Sequence, residues 1–218
     1  MNFKSCKGTF NRINDEKKKS ILSTAIDEFS QLGFNSSNIN IIAEKSNVSV
    51  GAMYKYFDSK RALYMTCVEW AMMHLNQKIE DVLKQDDDVI LMFENIIRTI
   101  LKFRNDNEPF TKLYYEMATE SNAEFAMEIS SQIEGVTSNL YAAYLEHAKQ
   151  NNIIRKDIDS RYFAFFIDNL FMMLQFSYSC EYYKDRMKIY TYRGVFEDDE
   201  ALVKQMMLFI KGALGIAE

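Results

Sequence analysis

Helix breakers are almost missing from this chain. Among 218 residues there is one proline, Pro109, and seven glycines, which leaves little material for tight turns and predicts an all-α fold. Cysteine is also rare. Cys6, Cys67 and Cys180 are odd in number and scattered, which suits neither a disulfide framework nor a zinc site; they read as reduced thiols packed as small apolar groups. Only two histidines occur, His74 and His147, neither in a metal or nucleophile motif, and no glycine-rich phosphate loop is present. These absences predict no enzyme, no catalytic or metal-binding residue and no cofactor. No apolar run is long enough to span a bilayer, and the opening MNFKSCKGTF lacks the apolar centre of a secretory signal. The expectation is a cytoplasmic protein with no membrane partner.

What is present is unevenly charged. Residues 1–60 carry nine Lys/Arg against six Asp/Glu, a balance of +3, so the total of −5 leaves −8 for residues 61–218. A basic head on an acidic body suits a DNA-binding module joined to a regulatory domain. Residues 1–13 read as polar and loose, with Lys4, Lys7 and Arg12 open to phosphates. A helix from about Asp15 to Leu32 carries the stripe Ile21, Leu22, Ala25, Ile26 and Phe29, with Gly33 as its stop. Lys17, Lys18 and Lys19 stand in its first turn, against the helix dipole, as expected if phosphates lie nearby.

Residues 33–63, GFNSSNINIIAEKSNVSVGAMYKYFDSKRAL, carry the sharpest signal. They spell two short helices joined by a tight turn, then the start of a third: the layout of a helix-turn-helix whose second helix enters a DNA major groove. Ser37 is expected to cap a helix running to about Ser46, with Ile39, Ile42 and Ala43 facing in. Asn47 falls where a left-handed residue is needed. Ser49 caps the second helix, Val48, Met53 and Phe57 pack inward, and Ser49, Val50, Ala52, Tyr54 and Lys55 are left to face out. Gly51 removes a side chain where a phosphate backbone or another helix can approach. A helix start at Asp58-Ser59-Lys60 offers N–H groups and a cation to a phosphate.

Gly33-Phe34, Val48-Ser49, Gly51, Tyr54, Tyr56-Phe57, Ser59-Lys60 and Leu63 together resemble the TetR family of bacterial transcriptional regulators, over roughly residues 17–63. Asn47 stands where the family usually has Gly, Ala52 where it has Thr or Ser, Val50 where Lys is common, and Ile41 where a polar residue is usual. The resemblance implies DNA binding through Ser37, Ser49, Val50, Ala52, Tyr54, Lys55 and Lys60. Tyr54 and Lys60 would hold phosphates and Lys55 a phosphate or base edge. Val50 and Ala52 suit methyl contacts to thymine. It also implies a homodimer on a near-palindromic double-stranded operator, responsive to a small-molecule effector. The corresponding division is residues 1–60 as a DNA-binding domain and 61–218 as a helical ligand-binding and dimerisation domain.

Beyond the motif, helical stripes predict a helix from Asp58 to about Lys84, one over 87–105, and a short one after Pro109. Others run from Ser121-Asn122 to Lys149, from Asp159-Ser160 through 161–183, and over 198–216. Residues 161–183 are apolar nearly all round, which predicts burial on every face; pairing of the last two long helices with their copies in a second subunit is the simplest cover. Thirteen Met, thirteen Tyr and sixteen Phe make a soft aromatic interior. Phe93, Ile97, Tyr114, Met117, Tyr141, Tyr144, Phe171, Met172 and Gln175 are the candidate lining of a cavity for a bulky, largely apolar or aromatic ligand, with Glu116, Glu120, His147 or Asp168 near its polar part. A ligand-storage or protein-interaction module, or an activator instead of a repressor, remains an alternative at this level.

Overall fold

The computed structural model describes residues 1–83, 88–102, 108–117 and 123–216, the side chains of 72, 75–76, 78–83, 108, 114–117 and 123–136 excepted. Their regular structure is helical: α1 (Gly8–Arg12), α2 (Asp15–Ser36), α3 (Ile39–Lys45), α4 (Val50–Tyr56), α5 (Lys60–Leu83), α6 (Val89–Lys102), α7 (Glu108–Met117), α8 (Ala123–Gln150), α9 (Ser160–Ser179), α10 (Glu181–Tyr190) and α11 (Asp199–Leu214). Packing divides the chain into two compact units, Met1–Leu75 with Pro109–Ala123, and Asn76–Glu108 with Glu124–Glu218. No described helix is long and apolar enough to cross a membrane.

In the first unit, α2 is capped by Asn14, whose side chain accepts from the Lys17 N–H at 2.8 Å. Its stripe of Ile21, Leu22, Ala25, Ile26 and Phe29 is buried, each of the large side chains contributing roughly 1.5–3 kcal/mol. Gly33, at φ 73° and ψ 166°, breaks the helix in a region that only glycine enters without strain. The cap of α3 is Asn38, which accepts from the Asn40 N–H at 2.9 Å, and not Ser37. Ser37 still belongs to the preceding turn: its N–H donates to the Gly33 carbonyl and its Oγ to the Phe34 carbonyl at 2.8 Å.

The turn between α3 and α4 is closed from both sides. Asn47 has φ 53°; its N–H donates to the Glu44 carbonyl at 3.0 Å, and the Val48 N–H to the Ala43 carbonyl at 2.8 Å. This is a Schellman ending, which satisfies the last carbonyls of α3 and turns the chain directly into α4. The same pattern closes α8 at Asn152 and α11 at Gly215. Ser49 then caps α4, accepting from the Ala52 N–H at 3.2 Å, as its position predicts.

Residues 1–13 are not loose. Phe10 on α1 is fully buried and Phe3 nearly so; the Phe10 ring lies 4.7 Å from Phe57 and 5.6 Å from Tyr56. Lys7 is committed to Asp58 at 2.7 Å. Lys18 is also turned inward, 3% exposed and bonded to Asp15 at 2.9 Å, so only Lys17 and Lys19 of that run are exposed. Two aromatic anchors here outweigh the polar residues that make the segment look loose in sequence. Tyr64 on α5 fills the centre of the unit, edge-on to Phe29 and Phe34 at 5.0 and 5.2 Å, with its hydroxyl donating to the Leu113 carbonyl at 3.3 Å. A buried carboxylate, Glu28 on α2, meets Lys45 on α3 at 2.7 Å, with Lys45 about half exposed; the second Glu28 oxygen has no partner.

The second unit packs α6, α9 and α11 around Phe93, Ile97, Phe171, Leu174, Met207 and Ile210, with Tyr141 and Leu145 of α8. Asp88, Asp159 and Asp198 cap α6, α9 and α11 through their side chains. Arg98 ties α6 to α11, reaching both oxygens of Glu200 at 2.6 and 3.0 Å while holding Glu94 at 2.9 Å. The helix expected over 161–183 is in fact two. Cys180 is extended, at φ −121° and ψ 122°, and its carbonyl starts α10 by accepting from the Lys184 N–H. Within one chain α9 is buried on one side only: Tyr162, Phe165, Phe166 and Met173 are exposed, as are Leu208 and Phe209 of α11.

Two outcomes follow for stability. Asn47→Ala should cost about 1–2 kcal/mol by forcing an ordinary residue into the left-handed region, whereas Asn47→Gly should stay within about 0.5 kcal/mol of the parent. Lys45→Ala should cost about 2 kcal/mol, less than the ~3–5 kcal/mol of a fully buried pair because Lys45 is partly hydrated. Denaturant midpoints at constant slope measure both; a neutral Asn47→Ala would show that the turn does not need its left-handed residue.

Candidate nucleic-acid interface

A helix of seven residues has two faces and little else. On α4 the inward face is Met53, fully buried, followed by Phe57 at the C-cap. The spacing of these two, four residues apart, turns Tyr54 and Lys55 between them outward. Ser49, Val50, Gly51, Tyr54 and Lys55 are exposed and Ala52 is half-buried. Val50 and Tyr54 are 39% and 48% exposed, high values for large side chains that a folded core would normally recruit. A side chain at Gly51 would meet nothing within 4 Å. No packing within the chain therefore demands glycine there, and the bare backbone faces outward beside Val50 and Tyr54.

The remaining DNA candidates sit differently. Ser37 is 5% exposed with its hydroxyl already donated to Phe34. Lys60, at the first turn of α5, spends two N–H bonds on the carbonyls of Asn35 and Ser37, at 3.1 and 3.0 Å, and lies over the Phe34 ring at 4.7 Å. It clasps the chain between α2 and α3 to the start of α5. Ser59 caps that start, accepting from the Ala62 N–H at 3.1 Å. Lys60 shows its charge in the sequence, whereas its carbonyl partners carry no side-chain signature there.

Thr9, which carries no signal in the sequence, reaches α4 from the N-terminal segment together with Lys7, whose charge the sequence shows. The Lys7 N–H donates to the Tyr56 carbonyl and its Nζ to the Tyr54 carbonyl, both at 2.9 Å, and the Thr9 hydroxyl donates to the Lys55 carbonyl. Three orphan carbonyls at the C-terminal end of α4 are thereby satisfied by a segment some 45 residues earlier in the chain. The available signal was Phe3 and Phe10, two aromatics in an otherwise polar stretch.

Of the ligand candidates, Phe93, Ile97, Tyr141 and Phe171 come together in the core of the second unit, Tyr144 packs on its edge, and Met172 and Gln175 are half-buried. The rings of Phe93, Tyr141 and Phe171 lie 6.0–6.1 Å apart. Burial, with the nearby Asp168 carboxylate, pushes the Tyr141 hydroxyl well above its ordinary value and keeps it neutral. The side chains of Tyr114, Met117 and Glu116, and all of Glu120, lie outside the described residues. The described surface has an open depression of about 570 Å³ elsewhere, between the end of α8 and the start of α9, with a mixed-charge lining that includes Glu146, Lys149, Lys156 and Asp159; none of the ligand candidates lines it. Among the described residues no cluster of His, Cys, Asp and Glu could hold a metal ion.

Residues 21–66, which contain α3, α4 and the start of α5, match the family model for bacterial regulatory proteins of the tetR family. The HTH-type transcriptional regulator YhgD of Bacillus subtilis is 24% identical over 166 residues, 75% of this chain and 84% of that protein. The biofilm-operon negative transcriptional regulator IcaR of Staphylococcus epidermidis is 23% identical over 137 residues, 62% of this chain and 71% of its own. Among solved structures, the transcriptional regulator FadR of Bacillus subtilis, in complex with stearoyl-CoA, superimposes with a TM-score of 0.71 at 17% identity, covering 88% of this chain and 97% of that one; at that identity the likeness speaks for the fold. With the helix-turn-helix, its outward-facing second helix and these relatives in agreement, residues 21–66 carry the DNA-binding helix-turn-helix of the tetR family of bacterial regulatory proteins.

Proposed function

We propose that this chain is a cytoplasmic, homodimeric repressor. Residues 1–60 bind a near-palindromic operator, and residues 61–218 bind a bulky, largely apolar effector that releases it. The observation that carries the reading is the outward face of α4, where Val50, Ala52, Tyr54 and Lys55 surround a glycine with open space above it. A helix so presented can lie in a major groove, with Tyr54 and Lys55 on phosphates and the small apolar pair, Val50 and Ala52, against thymine methyls. Of the other candidates, Ser49 and Lys60 keep a supporting role at the helix starts, and Ser37 is engaged inside the chain.

The exposed apolar faces of α9 and α11 support the dimer. Tyr162, Phe165, Phe166 and Phe209 are each more than half exposed, a cluster that a monomer rarely leaves in water and that two copies would cover about a two-fold axis. Two heads so joined would address half-sites about 34–36 Å apart. An apolar effector would enter among Phe93, Tyr141, Phe171 and their neighbours and hold the heads at another spacing. It can release DNA only through its preference for that state. Two names among the relatives favour this version: one is a negative regulator, and one holds a long-chain acyl-CoA.

Selection of bound duplexes from a random pool, at fixed moderate salt, tests the reading. An enriched near-palindrome is expected. Weak, sequence-independent binding would favour a storage or interaction module with a non-regulatory head. Against the enriched duplex, Lys55→Ala should weaken binding to every sequence and reduce the salt slope by about 1, while Val50→Ala should shift sequence preference and leave the slope intact. Phe165→Glu with Phe209→Glu should yield a monomer by sedimentation; a dimer persisting in that variant would place the interface elsewhere. Stearoyl-CoA serves as a first effector probe, expected to raise the thermal midpoint and to lower affinity for the duplex.

A further inference from the structure

The N-terminal segment touches two helices with different duties. At its start, the N–H groups of Lys4 and Ser5 donate to Glu69 of α5, at 2.7 Å to Oε2 and 3.0 Å to Oε1, and the Ser5 hydroxyl joins the same carboxylate. Asn11, just beyond Phe10, reaches back to both the N–H and the carbonyl of Phe3, at 2.9 and 2.8 Å, so the segment cannot slide. At its far end, Lys7 and Thr9 take the three terminal carbonyls of α4, and Phe10 wedges against Tyr56 and Phe57. The bonds at Glu69 and from the Lys7 ammonium are charge-assisted and the Phe10 ring is buried; such contacts hold their geometry better than exposed neutral ones.

Glu69 stands nine residues into α5, about 13 Å along its axis at 1.5 Å per residue. The short turn at Phe57–Ser59 links α5 to α4 at one point. A second link, a helix-length away, makes the connection resist rotation as well as translation. We propose that residues Phe3–Phe10 are a tie between α5 and the C-terminal end of α4, with Glu69 as the positioning residue that lets α5 set the orientation of the recognition helix. The proposal rests on the reading of α4 as the DNA-contacting helix. It adds a route from α5, which continues into the second unit, to that helix through the N-terminal segment.

The test uses the full chain and begins without DNA. In Glu69→Gln, amide hydrogen exchange should accelerate roughly ten-fold at Ser5, Lys7 and Phe57, with α2 and α3 unchanged. Thr9→Val, which cuts the tie at its other end, should give the same local pattern, and the double variant should add little to either single one. Affinity for the enriched duplex should fall about ten-fold in each, with an unaltered salt slope, because neither residue meets a phosphate. Unchanged exchange at Lys7 and Phe57, acceleration spread through α2 and α3, or additive effects would overturn the tie. So would local acceleration with full duplex affinity. If the parent chain enriches no duplex, the DNA-binding reading falls by itself, and the exchange pattern with its non-additivity still decides whether the tie exists.

Discussion

Seven residues are too few to hold a helix in water, since two turns barely repay the cost of starting one. The first unit is arranged around this shortage in α4. Ser49 supplies a cap at one end, the left-handed turn at Asn47 delivers the chain at the right angle, Met53 and Phe57 anchor the inner face, and the N-terminal segment takes the last carbonyls. Because all of these contacts are made from behind or from the ends, the outer face is left uncommitted. Its exposure is a consequence of how the helix is held.

The parts of this arrangement that were legible in the sequence are local. Ser49, Asn47, Asp159 and Asp198 act within four residues of themselves, so a cap or turn residue announces its own role. The inward stripe of α2 and the split of α4 into Met53 and Phe57 against Tyr54 and Lys55 follow from helical period alone. Most of the misreadings are long-range or backbone-mediated. Lys7 and Lys60 show their charge as open cations, yet their partners are Asp58 and the carbonyls of residues 35 and 37. Lysine shows its charge in a sequence and hides whatever its stem and ammonium have been given to do. The break at Cys180 escaped for a related reason: an apolar run on every face has no periodicity to interrupt.

In the second unit the same all-round apolarity has a different outcome. One side of α9 meets α6 and α11, and Arg98 bridges α6 to α11 through Glu200. The other side keeps Tyr162, Phe165 and Phe166 uncovered. Aromatic residues exposed on neighbouring turns carry a large transfer free energy, so this surface and the interior around Tyr141 draw on one physical resource. Sequence composition revealed the total and could not apportion it between the interior and the exposed face of α9.

The manner in which α4 is fastened bears on how this protein can change over generations. Its retaining contacts fall on backbone carbonyls, on the Ser49 cap and on Met53 and Phe57, and none uses the side chain of Val50, Ala52, Tyr54 or Lys55. Substitutions at Val50, Ala52, Tyr54 and Lys55 therefore leave the fastening intact, and the inherited fold does not constrain them. Under the proposed reading of α4 as the DNA-contacting helix, a lineage can drift from one set of target sites to another through these four positions while remaining folded at every step. On that reading, selection on binding and selection on foldedness act on separate residues of the same two turns.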